Sequence, residues 1–323
     1  MGRASRIGSA AVLGTRVDAA SAEAYADRML TWAHRGESRC VCACNVHTVV
    51  SARLSRDFAW LIDHADLRVP DGAPIAWHLR RDGFSQQQRV SGPDLMWQCC
   101  ARAADEGLPV FLYGSSDATL EQLAARLRRA FPALRIAGSL APPFRPPNSQ
   151  EDARVVRAIA NSGARLVFVG LGCPKQEAWM LYHRDSIPAV MLGAGAAFDF
   201  HAGTVQRAPL WMQRAGLEWL HRLCQQPGRL WQRYLVTNTL FLAWTLAELL
   251  GLRARGGTSH ENPAGHTLRR VGNPALAAVA GTLSQAAARP QRRAHAAATD
   301  GAALERAERR WRRTDRRAGG RVQ

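Results

Sequence analysis

Residues 109–131 read PVFLYGSSDATLEQLAARLRRAF: a short apolar run that ends in Gly, then a longer amphipathic stretch. The run has the length of a buried strand and the stretch has helical spacing. The same pairing recurs along the chain. CVCACNV at 40–46 precedes TVVSARLSRDFAWLIDHA at 48–65, which reads as one helix, and LRVP at 67–70 precedes a helix after Asp71, with another after Pro93. LRIAG at 134–138 leads through a loop to QEDARVVRAIANSG, RLVFVG at 165–170 leads to PKQEAWMLYHRD, and AVMLGAG at 189–195 closes the series. Strand and helix in rotation predict an α/β domain around a mainly parallel sheet flanked by helices. In such sheets ligands bind beyond the carboxyl ends of the strands, where helix N-termini favour anions. The site is therefore expected near residues 45, 71, 114, 170 and 195.

The composition narrows the class without choosing the function. The 323 residues carry a formal charge of +17, and of 43 basic residues only Lys175 is a lysine. Residues 253–323 alone hold 15 arginines and 5 acids. Such a balance suits nucleic acid, an anionic membrane surface or phosphorylated substrates, and charge does not decide among them. Seven cysteines form no paired CxxC spacing. Cys40, Cys42 and Cys44 alternate, so they share one face of a strand as small buried groups. The opening MGRASRIGSAAVLG has no sustained apolar region of the kind that directs secretion. From about Gly203 the texture becomes rich in Trp, Leu and Arg and reads as consecutive helices. Trp219, Trp231, Tyr234, Phe241 and Trp244 interleave with Arg222, Arg229 and Arg233, a mixture that fits a lipid headgroup boundary and also fits a buried aromatic seam. The apolar run at 239–252 is shorter than the ~20 residues a membrane span requires. Three segments follow: an α/β domain over 1–202, a helical appendage over 203–252, and an Arg- and Ala-rich tail over 253–323 expected to be disordered.

Several strand ends carry chemistry. Asp71 in VPDG suits a general base for a hydroxyl, and suits a helix N-cap as well. Asn45 can bind a sugar hydroxyl, orient a carboxylate or form a turn. Arg89 can meet a diphosphate or pair locally with Asp94. The segment GLGCPKQE places Gly170, Gly172, Pro174, Lys175, Gln176 and Glu177 after a buried strand. It is no dinucleotide fingerprint, because Lys175 stands where the third Gly of GxGxxG belongs, which argues against an NAD-dependent oxidoreductase. As a nucleotide loop its amides approach a ligand closely and Gln176 bonds a base or sugar; as a plain strand-to-helix turn it does neither. Gly114 ends the strand quoted first. In GAGAAFDFHAG, Gly195 permits close approach and Asp199 sits between two Phe. No Asp-x-Asp pair occurs in the chain, so no metal is expected, and arginines with helix N-termini would meet the charge on a leaving diphosphate.

In order, CNVHTVV, VPDG, RVSGPDL, VFLYG, VFVGLGCPKQE, GAGAAFDFHAG, VQRAP and GLEWLHRLCQQPGRLWQRYL resemble the WecG/TagA/CpsF family of glycosyltransferases, glycosyltransferase family 26, over about residues 10–245. The resemblance implies a Rossmann-like, metal-independent, inverting transferase with no cofactor. Its donor would be a UDP-sugar, of the N-acetylmannosamine, N-acetylmannosaminuronate or glucose type, and its acceptor a polyprenyl-diphosphate-linked glycan at the inner face of the cytoplasmic membrane. It implies no nucleic-acid partner and leaves homo-oligomerisation open. Asp71 matches the proposed base, Asn45 and Arg89 match active-site residues, and Gln176 matches a residue of the nucleotide and sugar pocket. Arg222, Arg229 and Arg233 resemble arginines of an appendage that closes over the diphosphate. One departure is Ala43, where the family usually has Thr. The competing expectation is a non-catalytic nucleotide- or polyanion-binding protein of the membrane surface, resting on the charge and the tail.

Overall fold

The computed structural model describes residues 7–252 apart from Phe144 and Pro146. The expectation of disorder over 253–323 falls outside the described residues. In chain order the elements are β1 (Gly8–Val12), β2 (Thr15–Ala19), α1 (Ala22–His34), β3 (Arg39–Cys44), α2 (Val46–Leu54), α3 (Arg56–Asp63), β4 (Leu67–Pro70), α4 (Ala73–Arg81) and α5 (Gly92–Asp105). There follow β5 (Val110–Gly114), α6 (Asp117–Ala130), β6 (Ile136–Leu140), α7 (Ser149–Asn161), β7 (Leu166–Gly170), α8 (Lys175–Tyr182), β8 (Val190–Gly193) and α9 (Ala197–Ala202). Helices α10 (Leu210–Arg214), α11 (Glu218–Gln225) and α12 (Pro227–Leu249) complete the described chain.

The strands β3 to β8 form one parallel sheet in the order β4-β3-β8-β7-β5-β6. The inner strands are apolar on both sides because helices cover both faces. On one face Val41, Val69, Leu112, Phe168 and Leu192 pack with α1, α5, α6 and α9. On the other, Cys40, Cys42, Cys44, Tyr113, Val169 and Met191 pack with α2, α3, α8 and Phe241 of α12. The three alternating cysteines are thus buried core groups with free thiols.

Two features depart from the sequence reading. The stretch at 48–65 is two helices, because the Ser55 hydroxyl accepts from Phe58 N at 3.3 Å and restarts the chain as α3. An antiparallel hairpin, β1 with β2, precedes the sheet and turns at Leu13 and Gly14, both at positive φ. Arg68 on β4 ties this hairpin down by donating its backbone N–H to Asp18 Oδ2 at 2.8 Å and its guanidinium to the same carboxylate at 3.2 Å. Both side chains are buried.

The last helices pack back onto the domain. Thr245 of α12 bonds His78 Nε2 at 3.0 Å, and the Arg53 guanidinium stacks 4.8 Å from the Trp244 ring. Phe241 is buried and Trp244 half-buried, so these two belong to the seam rather than to the exposed face. Trp231, Leu235, Leu242, Leu246 and Leu249 form the outer stripe of α12 instead. No helix among the described residues is long and apolar enough to cross a membrane.

Candidate functional site

The helices after β3 and β8 leave to opposite faces: α2 packs on the cysteine face and α9 on the other. Neighbouring strands whose helices diverge leave a crevice at their carboxyl ends, the usual ligand position in an open α/β sheet. Asn45 ends β3, Asp71 ends β4 and Gly195 follows β8, so all three border this crevice.

Asp71 is half-buried, with its backbone N–H bonded to Cys44 O at 3.0 Å. It does not cap the next helix: the N-cap of α4 is Gly72, at φ +101°, and no side chain bonds the helix amides there. The carboxylate is left for the crevice. Burial raises its proton affinity above the ordinary Asp range; the Asn45 bond and the Arg89 charge pull against this, and the Glu218 charge adds to it. A base with raised affinity takes a hydroxyl proton more readily.

Asn45 serves two roles that sequence reasoning kept separate. Its Oδ1 accepts from Thr48 N at 3.1 Å, capping α2, while its Nδ2 donates to Asp71 Oδ2 at 3.4 Å. Arg89 does not pair with Asp94. Its Nη2 meets Glu218 Oε2 at 2.7 Å and its Nη1 donates to Gln213 O at 3.0 Å. Asp94 pairs with Arg207, whose Nη2 donates to Asp94 Oδ2 at 2.8 Å and to Ser91 Oγ at 3.0 Å. Those bonds hold Asp94 below the ordinary carboxylate range in spite of its burial. Arg207 and Glu218 were not singled out from the sequence; they lie in VQRAP and GLEWL, and only the fold brings them beside Arg89.

The GLGCPKQE segment builds the crevice wall. Gln176 is buried and turned inward, accepting from Gly172 N at 3.2 Å and donating to Glu177 Oε1 at 2.9 Å. These bonds fix the turn of the loop in which it was expected to bond a base or sugar. A methyl group at Gly193 would come within 2.9 Å of its Nε2, and one at Gly195 within 3.4 Å of its Oε1. Glu177 is buried too, which raises its carboxyl pKa. Lys175 is exposed on the first turn of α8, and Pro174 precedes it. From α12, Arg233 lies near enough to bias the protonation of His47, Cys173 and Glu177. Arg222 instead lies 5.8 Å from the Phe200 ring, Arg229 is in the first turn of α12, and Asp199 is half-buried on α9.

A second hollow, of about 590 Å³, opens beyond β5 and β6 and is lined by Ser115, Ser116, Asp117, Pro142 and Glu151. Its wall depends on Gly114: the Ser115 N–H donates to Gly170 O at 3.1 Å, an approach that a side chain at Gly114 would block. Of the expected residues, Asn45, Asp71 and Arg89 form one cluster, the loop at 170–177 lies beside it with Gly195 and Arg233, Gly114 borders the second hollow, and Asp199, Arg222 and Arg229 lie on α9, α11 and α12.

Residues 10–255 match the sequence model described as the glycosyl transferase WecG/TagA/CpsF family.

Proposed function

The chain belongs to the WecG/TagA/CpsF family of glycosyl transferases, and from that premise we propose that it moves a sugar from a UDP-sugar to a lipid-diphosphate-linked glycan in cell-surface polysaccharide synthesis. The donor sugar is of the N-acetylmannosamine, N-acetylmannosaminuronate or glucose type. One observation carries the reading: a carboxylate of raised proton affinity, Asp71, stands uncapped at the carboxyl edge of a parallel sheet with Asn45 and Arg89 beside it.

Asp71 takes the proton of the acceptor hydroxyl as its oxygen forms a bond to the anomeric carbon. The bond from that carbon to the diphosphate oxygen breaks on the opposite side, the configuration inverts, and UDP leaves with the electron pair. Asn45 orients Asp71. Arg89, with Arg233 from α12, stabilises the charge developing on the diphosphate, a task done here by guanidinium groups and loop amides without a metal. The nucleotide and sugar lie along the 170–177 loop and Gly195, with Gly114 and Asp199 at the margin.

The outer stripe of α12, together with exposed Leu210, Trp211, Trp219 and Leu220, supports docking on an anionic membrane surface, where the lipid-linked acceptor is held. Helices α10 to α12 then act as an appendage that shields the reacting centre from water.

The test is thermal stabilisation by a panel of UDP-, GDP- and CMP-sugars. The reading predicts selective stabilisation by a UDP-sugar in the presence of a metal chelator. Stabilisation by another nucleotide class, or a flat panel with liposomes present, overturns it.

A further inference from the structure

Glu218 opens α11 and stands between two arginines from distant parts of the chain. Its Oε2 lies 2.7 Å from Arg89 Nη2, and its Oε1 lies 3.4 Å from Arg207 Nε. Arg89 is fixed at a second point, through Nη1 on Gln213 O. Arg207 in turn holds Asp94 and the Ser91 hydroxyl, and Ser91 is the N-cap of α5. The turn is held to the end of β4 by the Val90 N–H on Pro70 O at 3.1 Å, and the next residue after Ser91, Gly92, has its backbone N–H near enough to favour the ionised Asp71 carboxylate. A continuous set of charge-assisted bonds thus runs from Arg89 through Glu218 and Arg207 to the turn that supports Asp71.

We infer that Glu218 is a positioning residue for the transferase site: it aims the Arg89 guanidinium into the crevice and couples α11 to the turn that holds Asp71. The inference rests on the roles proposed for Asp71 and Arg89. Its physical basis is that an arginine has many rotamers, and a carboxylate on one face of the guanidinium together with a carbonyl on another leaves it few. Glu218 also acts at a distance. Its charge faces Asp71 from the α11 side and favours the protonated carboxyl, whereas Arg89 favours the ionised one, with Asn45 and the Gly92 amide bonding the ionised form. Arg207 and Asp94 lie on the other side of Glu218, and the buried Cys44 thiol faces Asp71 from β3.

The test uses the full chain with Glu218→Ala, Glu218→Gln and Glu218→Asp, and reads transfer kinetics, thermal unfolding and the ¹³C titration of the Asp71 carboxyl, assigned by its loss in Asp71→Asn. Glu218→Ala is expected to lower kcat at least tenfold with donor KM changed less than threefold, and Glu218→Asp to recover part of the loss. Glu218→Gln is expected to move the Asp71 titration to lower pH with the fold intact. Wild-type kcat together with an unmoved titration overturns the inference, as does a loss of kcat that only follows the unfolded fraction. A wild-type chain that transfers no sugar overturns the proposed function instead, and the titration then decides the place of Glu218 by itself.

Discussion

Asn45 Nδ2 donates to Asp71 Oδ2 across 3.4 Å while Asn45 Oδ1 caps α2, so one amide joins a helix start to a carboxylate on the neighbouring strand. The two roles separate on substitution. Asn45→Ala removes the cap, at a cost of about 1 kcal/mol, and removes a bond that favours ionised Asp71. Asn45→Asp keeps a capping oxygen and adds a like charge beside Asp71. Both variants are expected to move the acid limb of the pH–rate profile to higher pH, with only Asn45→Ala losing stability to denaturant through the cap. An unmoved acid limb in both would contradict the contact's role.

The raised proton affinity of Asp71 also fixes a sign for stability. Its folded pKa lies above the unfolded value, so the stability it contributes is full below the ordinary Asp range and is lost as pH rises through the folded value. At neutral pH the ionised carboxylate is a burden on the fold. Asp71→Asn is therefore expected to unfold at a higher temperature than the parent at pH 7, and the gap should close on acidification toward pH 4. Thermal scans at the two pH values check this, and a less stable variant at pH 7 would show that the carboxylate is favourably held.

Gly114 is the tightest point of the sheet's carboxyl edge. A Cβ there would lie 2.5 Å from the Gly170 carbonyl carbon, on a backbone at φ +125°. Gly114→Ala is expected to cost about 2 to 4 kcal/mol, from strain added to a backbone clash. Chemical denaturation measures it. A cost under about 0.5 kcal/mol, the range of neutral surface changes, would mean that β5 and β7 separate easily at their ends.

The outer and inner faces of α12 should behave oppositely. Changing Leu235, Leu242 and Leu246 to Ser removes exposed apolar groups, so it is expected to abolish co-sedimentation with anionic liposomes and leave the unfolding temperature close to the parent's. Phe241→Ser empties a buried position against His78 and should cost about 3 kcal/mol. Liposome binding that survives the triple change would place the membrane contact elsewhere.

Much of this organisation is visible in the sequence, for reasons that also mark where it stops. Buried parallel strands such as Leu166–Gly170 read as apolar runs because both faces are covered, and they end in the glycines that the close approach of Gly114 to Gly170 requires. The places of Asp71 and Asn45 at strand ends are legible because the apolar runs stop there, and their mutual bond follows from the pairing of β3 with β4. The hairpin of Gly8–Val12 escapes notice, since GSAAV has neither bulky β-formers nor clear alternation and its place is set by the distant Arg68–Asp18 pair. The break at Ser55 is a capping event inside a continuous helical pattern. Arg207 and Glu218 carry no local signal, because their partners Asp94 and Arg89 lie more than a hundred residues away in the chain. In α12 the aromatic and arginine mixture fits both a lipid boundary and a buried seam, and the fold divides the residues between them: Phe241 and Trp244 face the domain, while Trp231 and the leucines face outward.

Sugar transfer with Asp71 as the base is decided by UDP release from the stabilising UDP-sugar with a polyprenyl-diphosphate-linked acceptor on liposomes, measured for the parent and Asp71→Asn. Acceptor-dependent release is expected of the parent, with a loss of at least a hundredfold, on the order of a general base's contribution, in a variant that still binds the donor. Near-parental release by a folded Asp71→Asn chain would contradict it.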